Sequence, residues 1–194
     1  MLDTHARKWV QPTINKIAHG CIKIGLTPTR LTIIALVLGV LAAYLNHLVY
    51  PIVAVIILWI SGLIDALDGT VARITDTKSD IGAFLDITFD RVVEVSILYS
   101  LFSRNPDLLM MLFVLLTTFL LSMTVFLTVG SLSKNKSEKA FYYQAGITER
   151  TETFVFFTLM ILFIEHAIII GYVFAFLVII TILIRFYEGV KYLK

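Results

Sequence analysis

Residues 65–90 contain two acidic segments, Asp65-Ala66-Leu67-Asp68-Gly69-Thr70-Val71-Ala72-Arg73 and Gly82-Ala83-Phe84-Leu85-Asp86-Ile87-Thr88-Phe89-Asp90. Asp65 and Asp68 are three residues apart and Asp86 and Asp90 are four apart, so each pair shares one face of a helix. A short loop joins the two helices, and we expect them to be antiparallel neighbours that bring all four carboxylates into one small cavity. Four unpaired carboxylates inside apolar helices would cost roughly 10 kcal/mol.

A bound divalent metal is the economical way to neutralise this acidic cluster. The nearby basic side chains, those of Arg73, Lys78 and Arg91, are too few and too scattered to do so. Carboxylate oxygen is the ligand that hard ions such as Mg²⁺ and Mn²⁺ prefer. For an isolated pair of aspartates a solvated helix end would be the better interpretation, but four at these spacings indicate a metal site.

The composition is that of a membrane protein. Hydrophobic residues make up 58% of the 194 residues and charged residues only 15%, whereas soluble domains carry about 25% charged residues. The net charge of +2 is too small to indicate nucleic-acid binding. The single cysteine, Cys21, excludes an intrachain disulfide.

Apolar stretches along the chain predict an all-α integral membrane protein with six transmembrane helices. The fifth stretch is short, and the alternative is one long hairpin that turns at Glu165 and His166. An even number of spans keeps both termini on one side. The six stretches cover residues 31–45, 51–67, 83–101, 108–130, 154–164 and 167–186.

The basic residues predict on which side of the membrane the two termini lie, because Lys and Arg concentrate in cytoplasmic segments. Fourteen of the sixteen Lys and Arg residues fall on one side of the six-span arrangement, Arg104 falls on the other, and Arg91 lies inside a span. We therefore expect both termini and the acidic cluster on the cytoplasmic side. The membrane is expected to be the plasma membrane of a prokaryote.

Residues 1–30 precede the first span and predict a cytoplasmic helix that lies in the membrane surface. Val10, Ile14, Ile17 and Cys21 recur at helical spacing, with lysines on roughly the opposite side. Pro12 predicts that the regular helix begins there. The remaining residues, 31–194, are expected to form one six-helix transmembrane catalytic domain in contact with membrane lipids.

The spacing of the acidic stretch resembles the signature of the CDP-alcohol phosphatidyltransferase family. All eight fixed positions of that signature are met here, in the order Asp65-x2-Asp68-Gly69-x2-Ala72-Arg73-x8-Gly82-x3-Asp86-x3-Asp90. Residues 26–32 are similar to the family's Thr-Pro-Asn-x-Leu-Thr stretch, with Thr29 in place of Asn. The resemblance implies six spans, a preceding interfacial helix and a homodimer.

The resemblance also implies a reaction, in which a CDP-linked lipid such as CDP-diacylglycerol transfers its phosphatidyl-type group to a small polar alcohol and CMP leaves. Asp65, Asp68 and Asp86 would bind two divalent ions, Mg²⁺ or Mn²⁺. Asp90 would be a ligand or near neighbour and the general base. The predicted nucleotide-binding residues are Gly69, Arg73 and Gly82. For the two glycines, close helix packing is the alternative interpretation.

The predicted acceptor-binding residues follow the fourth span, and they are Lys134, Lys136, Lys139 and Arg150. Glu149-Arg150 is similar to the motif that opens the fifth helix of inositol-phosphate-using relatives, where arginines bind the acceptor's phosphate. Thr153 stands where those relatives have a second Arg, and residues 128–132 lack their arginines. Glycerol 3-phosphate and an unphosphorylated alcohol both remain open as acceptors.

Two other functions are compatible with intramembrane carboxylates. A CDP-lipid hydrolase would use the same metal site with water as acceptor. A cation transporter predicts carboxylates spread along several helices through the bilayer, whereas these gather at the cytoplasmic edge of two.

Overall fold

The computed structural model describes the backbone of residues 2–133 and 146–193 and the side chains of residues 11–132 and 146–193. Within these residues the fold is all-α, as predicted, and short 3-10 turns precede the fifth and seventh helices. The helices are α1 (Leu2–Lys23), α2 (Pro28–His47), α3 (Pro51–Ile74), α4 (Asp80–Arg104), α5 (Leu109–Ser133), α6 (Arg150–Leu162) and α7 (Ala167–Leu193).

Four segments of the described chain are long and apolar enough to cross a membrane, and they contain α2, α3, α5 and α7. The other two predicted spans fall on α4 and α6, which do not meet the same criteria. α4 has 25 residues but carries six charged side chains. α6 has 13 residues, or about 20 Å of helix, against roughly 30 Å of bilayer hydrocarbon.

The chain divides into two compact units, Thr4–Pro106 and the described residues of Asp107–Lys194. In the first unit, α2 packs closely against both α3 and α4. The described parts of α3 and α4 make no comparably close backbone contact with each other. α2 therefore makes the closest backbone contacts with both helices, and the side chains of α3 and α4 meet each other at the site described below.

Small residues on α2 explain why it is the shared packing partner. A Cβ at Gly39 would overlap the side chain of Val93 on α4. Ser61 Oγ of α3 would lie 3.2 Å from the same Cβ, and it donates a hydrogen bond of 2.7 Å to the Ala35 carbonyl of α2. Helices approach this closely in membranes where small residues line the contact.

At one end of the first unit, a buried polar cluster joins the C-terminal turns of α2 and α4. Asn46 is fully buried, and its Nδ2 donates to Ser100 Oγ at 2.8 Å. Its Oδ1 accepts from Arg104 Nη1 at 2.6 Å. Because buried amide groups need partners, these bonds fix the register of the two helices.

The turn between α1 and α2 depends on Gly25, whose φ is +77°. The Gly25 amide donates to the Ile22 carbonyl at 3.0 Å, and the Leu26 amide donates to the Cys21 carbonyl at 3.0 Å, as in a Schellman motif. The bend places Ala18 of α1 in a buried cluster with residues of α2 and α3. α1 begins at Leu2 and continues through Pro12, so the predicted start at Pro12 is wrong.

In the second unit, α7 packs against both α5 and α6. Phe174 of α7 is fully buried, with ring centroids 5.3 Å from Phe119 and 6.2 Å from Phe157. A Cβ at Gly171 would overlap the Met111 side chain, so α5 and α7 meet closely at that level. Aromatic edge contacts and one close glycine contact thus define this core.

Candidate active site

The structure brings together three of the four predicted aspartates. Asp65 and Asp68 lie one turn apart on α3, Asp86 lies in the second turn of α4, and one oxygen from each lies within 4.8 Å of the others. Asp65 and Asp68 are each 7% exposed. At an effective dielectric constant of about 20, two unit charges 4.8 Å apart repel by roughly 3.5 kcal/mol. Three carboxylates with no other donor type fit a hard divalent cation.

Asp90 is outside this group of three carboxylates. It follows Asp86 by one turn of α4 and is partly buried. The neighbouring Arg91 is paired with Glu94, with 2.6 Å between Nη1 and Oε2. The charge of Arg91 is therefore directed at Glu94.

A hydroxyl group from α2 reaches the cluster. Thr32 Oγ1 donates a hydrogen bond of 2.6 Å to Asp68 Oδ2, and both residues are buried. The same oxygen lies 3.0 Å from the Pro28 carbonyl. Thr32 was not predicted as a site residue. The available signal was its place at the end of the Thr-Pro stretch of residues 26–32.

Gly69 and Arg73 lie together on α3. A Cβ at Gly69 would meet only Arg73 Nη1 among the described atoms, at an ordinary contact distance of 3.4 Å. The Arg73 guanidinium is held by a 2.8 Å hydrogen bond from Nη2 to Thr70 Oγ1. Among the described residues, no neighbouring helix comes close enough to require a glycine here, in contrast to Gly39. Packing between the described helices therefore does not explain Gly69, whose bare backbone lies beside a cationic side chain.

Gly82 lies in the first turn of α4. Its amide donates a hydrogen bond of 3.0 Å to the N-capping Ser79 Oγ, and a Cβ at Gly82 would lie 3.1 Å from that oxygen. Such N-caps stabilise the start of a helix. Gly82 thus has a local contact with its own cap, and interhelical packing does not explain this glycine either.

Of the predicted acceptor residues, Lys134, Lys136 and Lys139 lie outside the described residues. Arg150 is the first residue of α6, in the second unit, with its guanidinium carbon 6.0 Å from the centre of the Phe154 ring. The segment before it is attached to α7, because the Thr148 amide donates to Thr181 Oγ1 at 3.0 Å. The backbone at Gly146 comes so close that a Cβ there would overlap Thr181.

Arg185 of α7 lies beside this segment and was missed as a site residue. Its Nη2 is 3.4 Å from the position of a Cβ on Gly146, and its Nη1 donates to Ser122 Oγ at 3.1 Å. The guanidinium carbon is 5.3 Å from the centre of the Phe126 ring. Arg185 is one of the fourteen basic residues that the sequence places on the cytoplasmic side. The available signal was that Arg185 interrupts an apolar run that continues to Phe186.

Comparison with known proteins identifies the family. The sequence model of the CDP-alcohol phosphatidyltransferase family matches residues 25–185. The inner membrane protein YnjF of Escherichia coli is 31% identical over 84% of this chain and 82% of its own length. The archaetidylinositol phosphate synthase of Pyrococcus horikoshii is 40% identical, over 49% of this chain and 50% of its own length.

Solved structures show the same fold. The phosphatidylinositol phosphate synthase of Mycobacterium tuberculosis in complex with manganese and citrate has a TM-score of 0.75 at 21% identity, covering 92% of this chain and 89% of that one. The same enzyme with CDP-DAG bound has a TM-score of 0.71 at 22% identity, with coverage of 91% and 92%. At this identity the likeness concerns the fold alone.

The chain belongs to the CDP-alcohol phosphatidyltransferase family. It is accordingly an integral membrane enzyme, a metal-dependent phosphotransferase, and the carboxylates of Asp65, Asp68 and Asp86 fit the divalent cation that this chemistry uses. Family membership removes the cation-transporter interpretation.

Proposed function

We propose that the protein transfers the phosphatidyl-type group of a CDP-linked lipid to a small polar alcohol that carries a phosphate, with release of CMP. The observation that carries the proposal is the meeting of three buried or partly buried carboxylates, from the two helices that contain the family signature, within 4.8 Å. Placing three carboxylates in an apolar helix pair costs free energy, and bound cations would offset that cost.

Asp65, Asp68 and Asp86, with Asp90 as a further ligand or near neighbour, would hold two divalent ions, Mg²⁺ or Mn²⁺. Bound there, the ions supply charge neutralisation for the diphosphate and the departing CMP. The manganese-bound structure of the mycobacterial enzyme supports this assignment by its fold.

The chain's own side chains have separate roles in the proposed reaction. Arg73 lies over the bare backbone of Gly69, where its guanidinium would bind the diphosphate; Gly82 would border the nucleotide at the start of α4. Asp90 would take the proton from the acceptor hydroxyl. The acceptor oxygen then bonds to the phosphorus that carries the lipid, and the bond from that phosphorus to the CMP oxygen breaks.

For the acceptor, the second unit offers cationic side chains. Arg150 and Arg185 both lie by the segment that contains Gly146 and Thr148, and guanidinium groups suit a phosphate monoester. Lys134, Lys136 and Lys139 would add positive charge. Glycerol 3-phosphate remains our first candidate acceptor. Inositol phosphate is the second, because relatives at 40% and 35% identity over about half of this chain are named archaetidylinositol phosphate synthase and phosphatidylinositol phosphate synthase.

We also propose the finer membrane arrangement. α4 and α6 complete six spans with α2, α3, α5 and α7, and α1 lies in the cytoplasmic membrane surface, with both termini and the active site on that side. The shortness of α6 and the charges of α4 are tolerable where those helices face protein or a water-filled cavity. We expect a homodimer in the plasma membrane of a prokaryote.

The test uses purified protein, radiolabelled CDP-diacylglycerol, Mn²⁺ and one acceptor at a time: glycerol 3-phosphate, inositol phosphate, inositol, serine, or none. Thin-layer separation of the lipid products is expected to show a new phospholipid with one phosphorylated acceptor only. Phosphatidic acid and CMP without any alcohol would instead establish a hydrolase. A product with inositol or serine alone would contradict the phosphate requirement.

A further inference from the structure

Thr32 makes a contact that none of the roles proposed above uses. It lies in the second turn of α2, 36 residues before Asp68 in the chain, and its hydroxyl is 2.6 Å from Asp68 Oδ2. Thr32 is 4% exposed and Asp68 is 7% exposed, so water competes little for this bond. The length is that of a hydrogen bond from a hydroxyl to an ionised carboxylate.

The hydroxyl has one proton and two possible acceptors. The Pro28 carbonyl, four residues earlier, is 3.0 Å away and is the usual partner of a threonine within a helix. The distance to Asp68 is the shorter one, and a negatively charged acceptor makes the stronger bond. Donation to Asp68 therefore dominates, and it restrains the rotation of the Asp68 carboxylate through Oδ2.

We propose that Thr32 is a positioning residue that holds the Asp68 carboxylate in its metal-binding orientation. This inference rests on the metal site of the proposed function. Groups that hydrogen-bond to metal ligands fix ligand orientation, and losing one typically lowers metal affinity about 10- to 100-fold. α2, which packs against both metal-bearing helices, thereby contributes to the site through a side chain as well as through its backbone.

The experiment measures Mn²⁺ binding to purified full-length protein, from the electron paramagnetic resonance signal of the free ion. Thr32→Val keeps the shape of the side chain and removes the donor, and we expect its Mn²⁺ dissociation constant to rise by about 10- to 100-fold. Thr32→Ser keeps the donor, and we expect a rise of less than about threefold, since the ligand's partner is retained. In turnover assays, raising the Mn²⁺ concentration should restore the kcat of Thr32→Val.

Thr118→Val is the matched control. Thr118 is also a buried threonine, 5% exposed, and its hydroxyl donates to the Leu115 carbonyl of its own helix. We expect wild-type Mn²⁺ affinity in this variant. Thermal unfolding of metal-free protein shows whether each variant is folded, and Thr32→Ser provides the binding comparison should Thr32→Val not fold.

Equal loss of Mn²⁺ affinity in Thr32→Ser and Thr32→Val would overturn the proposal, as would wild-type affinity in a folded Thr32→Val. Failure of the proposed function has a different signature: wild-type protein that binds Mn²⁺ but forms no lipid product with any alcohol. The Mn²⁺ titrations then still decide the role of Thr32. Wild-type protein without Mn²⁺ binding would overturn both.

Discussion

Asp90 lies one turn beyond Asp86 on α4, outside the group of three carboxylates that lie within 4.8 Å of one another. A carboxylate that is not fully engaged by a cation keeps the basicity that proton removal requires. We therefore expect Asp90→Asn to lower kcat by at least about 100-fold while Mn²⁺ and CDP-lipid binding stay close to wild type. Asp68→Asn, in contrast, should lose Mn²⁺ binding. Equal loss of Mn²⁺ binding in the two variants would make Asp90 a ligand instead of a base.

Gly69 and Gly39 allow a matched pair of substitutions by alanine. At Gly69 the added methyl group meets only Arg73 Nη1, at 3.4 Å, whereas at Gly39 it overlaps Val93. Gly69→Ala should therefore keep or raise stability by up to about 1 kcal/mol and raise the KM for the CDP-lipid. Gly39→Ala should lose roughly 1 to 3 kcal/mol through overpacking.

Thermal unfolding in detergent and steady-state kinetics measure the two effects separately. A Gly69→Ala variant that loses stability as Gly39→Ala does, with an unchanged KM, would return Gly69 to a packing role. If Gly39→Ala unfolds at the same temperature as the wild-type protein, then α2 and α4 can move apart at that level to make room for the methyl group.

The sequence spacing of the aspartates was enough to predict that they share helix faces, but no such spacing predicts the places of Thr32 and Arg185. The aspartates repeat at helical intervals within 26 residues of sequence, so their shared faces follow from helix geometry. The bond from Thr32 to Asp68 spans 36 residues, and it depends on how two helices cross. Arg185 was not predicted as a site residue, because only the return of the segment before α6 onto α7 places Gly146 beside it.

The polar contact between the ends of α2 and α4 is far from the metal site. We therefore expect its loss to lower the stability of the fold without changing metal binding. Asn46 is 14 residues from Thr32 along α2, about 21 Å at 1.5 Å per residue. Asn46→Ala removes the amide from the buried Ser100 hydroxyl and from the partly buried Arg104 guanidinium, and should cost about 1 to 3 kcal/mol of folding free energy. Mn²⁺ affinity at a permissive temperature should be unchanged.

The check on Asn46→Ala is thermal unfolding of metal-free protein together with the Mn²⁺ titration. Ser96→Ala is a suitable control, because Ser96 Oγ donates only to the Val92 carbonyl of its own helix among the described contacts. If Asn46→Ala unfolds at the wild-type temperature but no longer binds Mn²⁺, the claim that the Asn46 cluster stabilises the fold without contributing to the metal site would be wrong.

The existence of the helices was predictable, but their ends and partners were less so. Hydropathy placed the second and third spans at residues 51–67 and 83–101, whereas α3 and α4 run over Pro51–Ile74 and Asp80–Arg104. The helical hydrogen bonds of α3 and α4 continue beyond the apolar stretches, so the acidic segments are helical although they are polar. The packing of α3 and α4 on α2 depends on the small residues Gly39 and Ala35, which hydropathy does not distinguish from other apolar residues.

Sidedness is a property of the whole molecule, and two arrangements of these helices differ in it. If α4 and α6 both cross the bilayer, the turn Pro106–Leu108 lies outside the cell. If only the four most apolar segments cross, that turn stays in the cytoplasm. With the N-terminus in the cytoplasm, as proposed above, the turn Ile164–His166 lies outside in both arrangements. The concentration of basic residues favours six spans, because with four spans the lysines at 134, 136 and 139 would be external.

Single cysteines in a Cys21→Ala background separate the two arrangements, because Cys21 is the only native cysteine. Lys78→Cys, Asp107→Cys and Glu165→Cys all place the thiol at an exposed position in a turn. With a membrane-impermeant maleimide on intact cells, we expect labelling at 107 and 165, and at 78 only after the membrane is opened. Labelling at 165 with protection at 107 would mean that α4 does not cross. The acidic site would then be bounded on one side by a helix lying in the membrane surface, and its carboxylates would need cations less, because water could reach them.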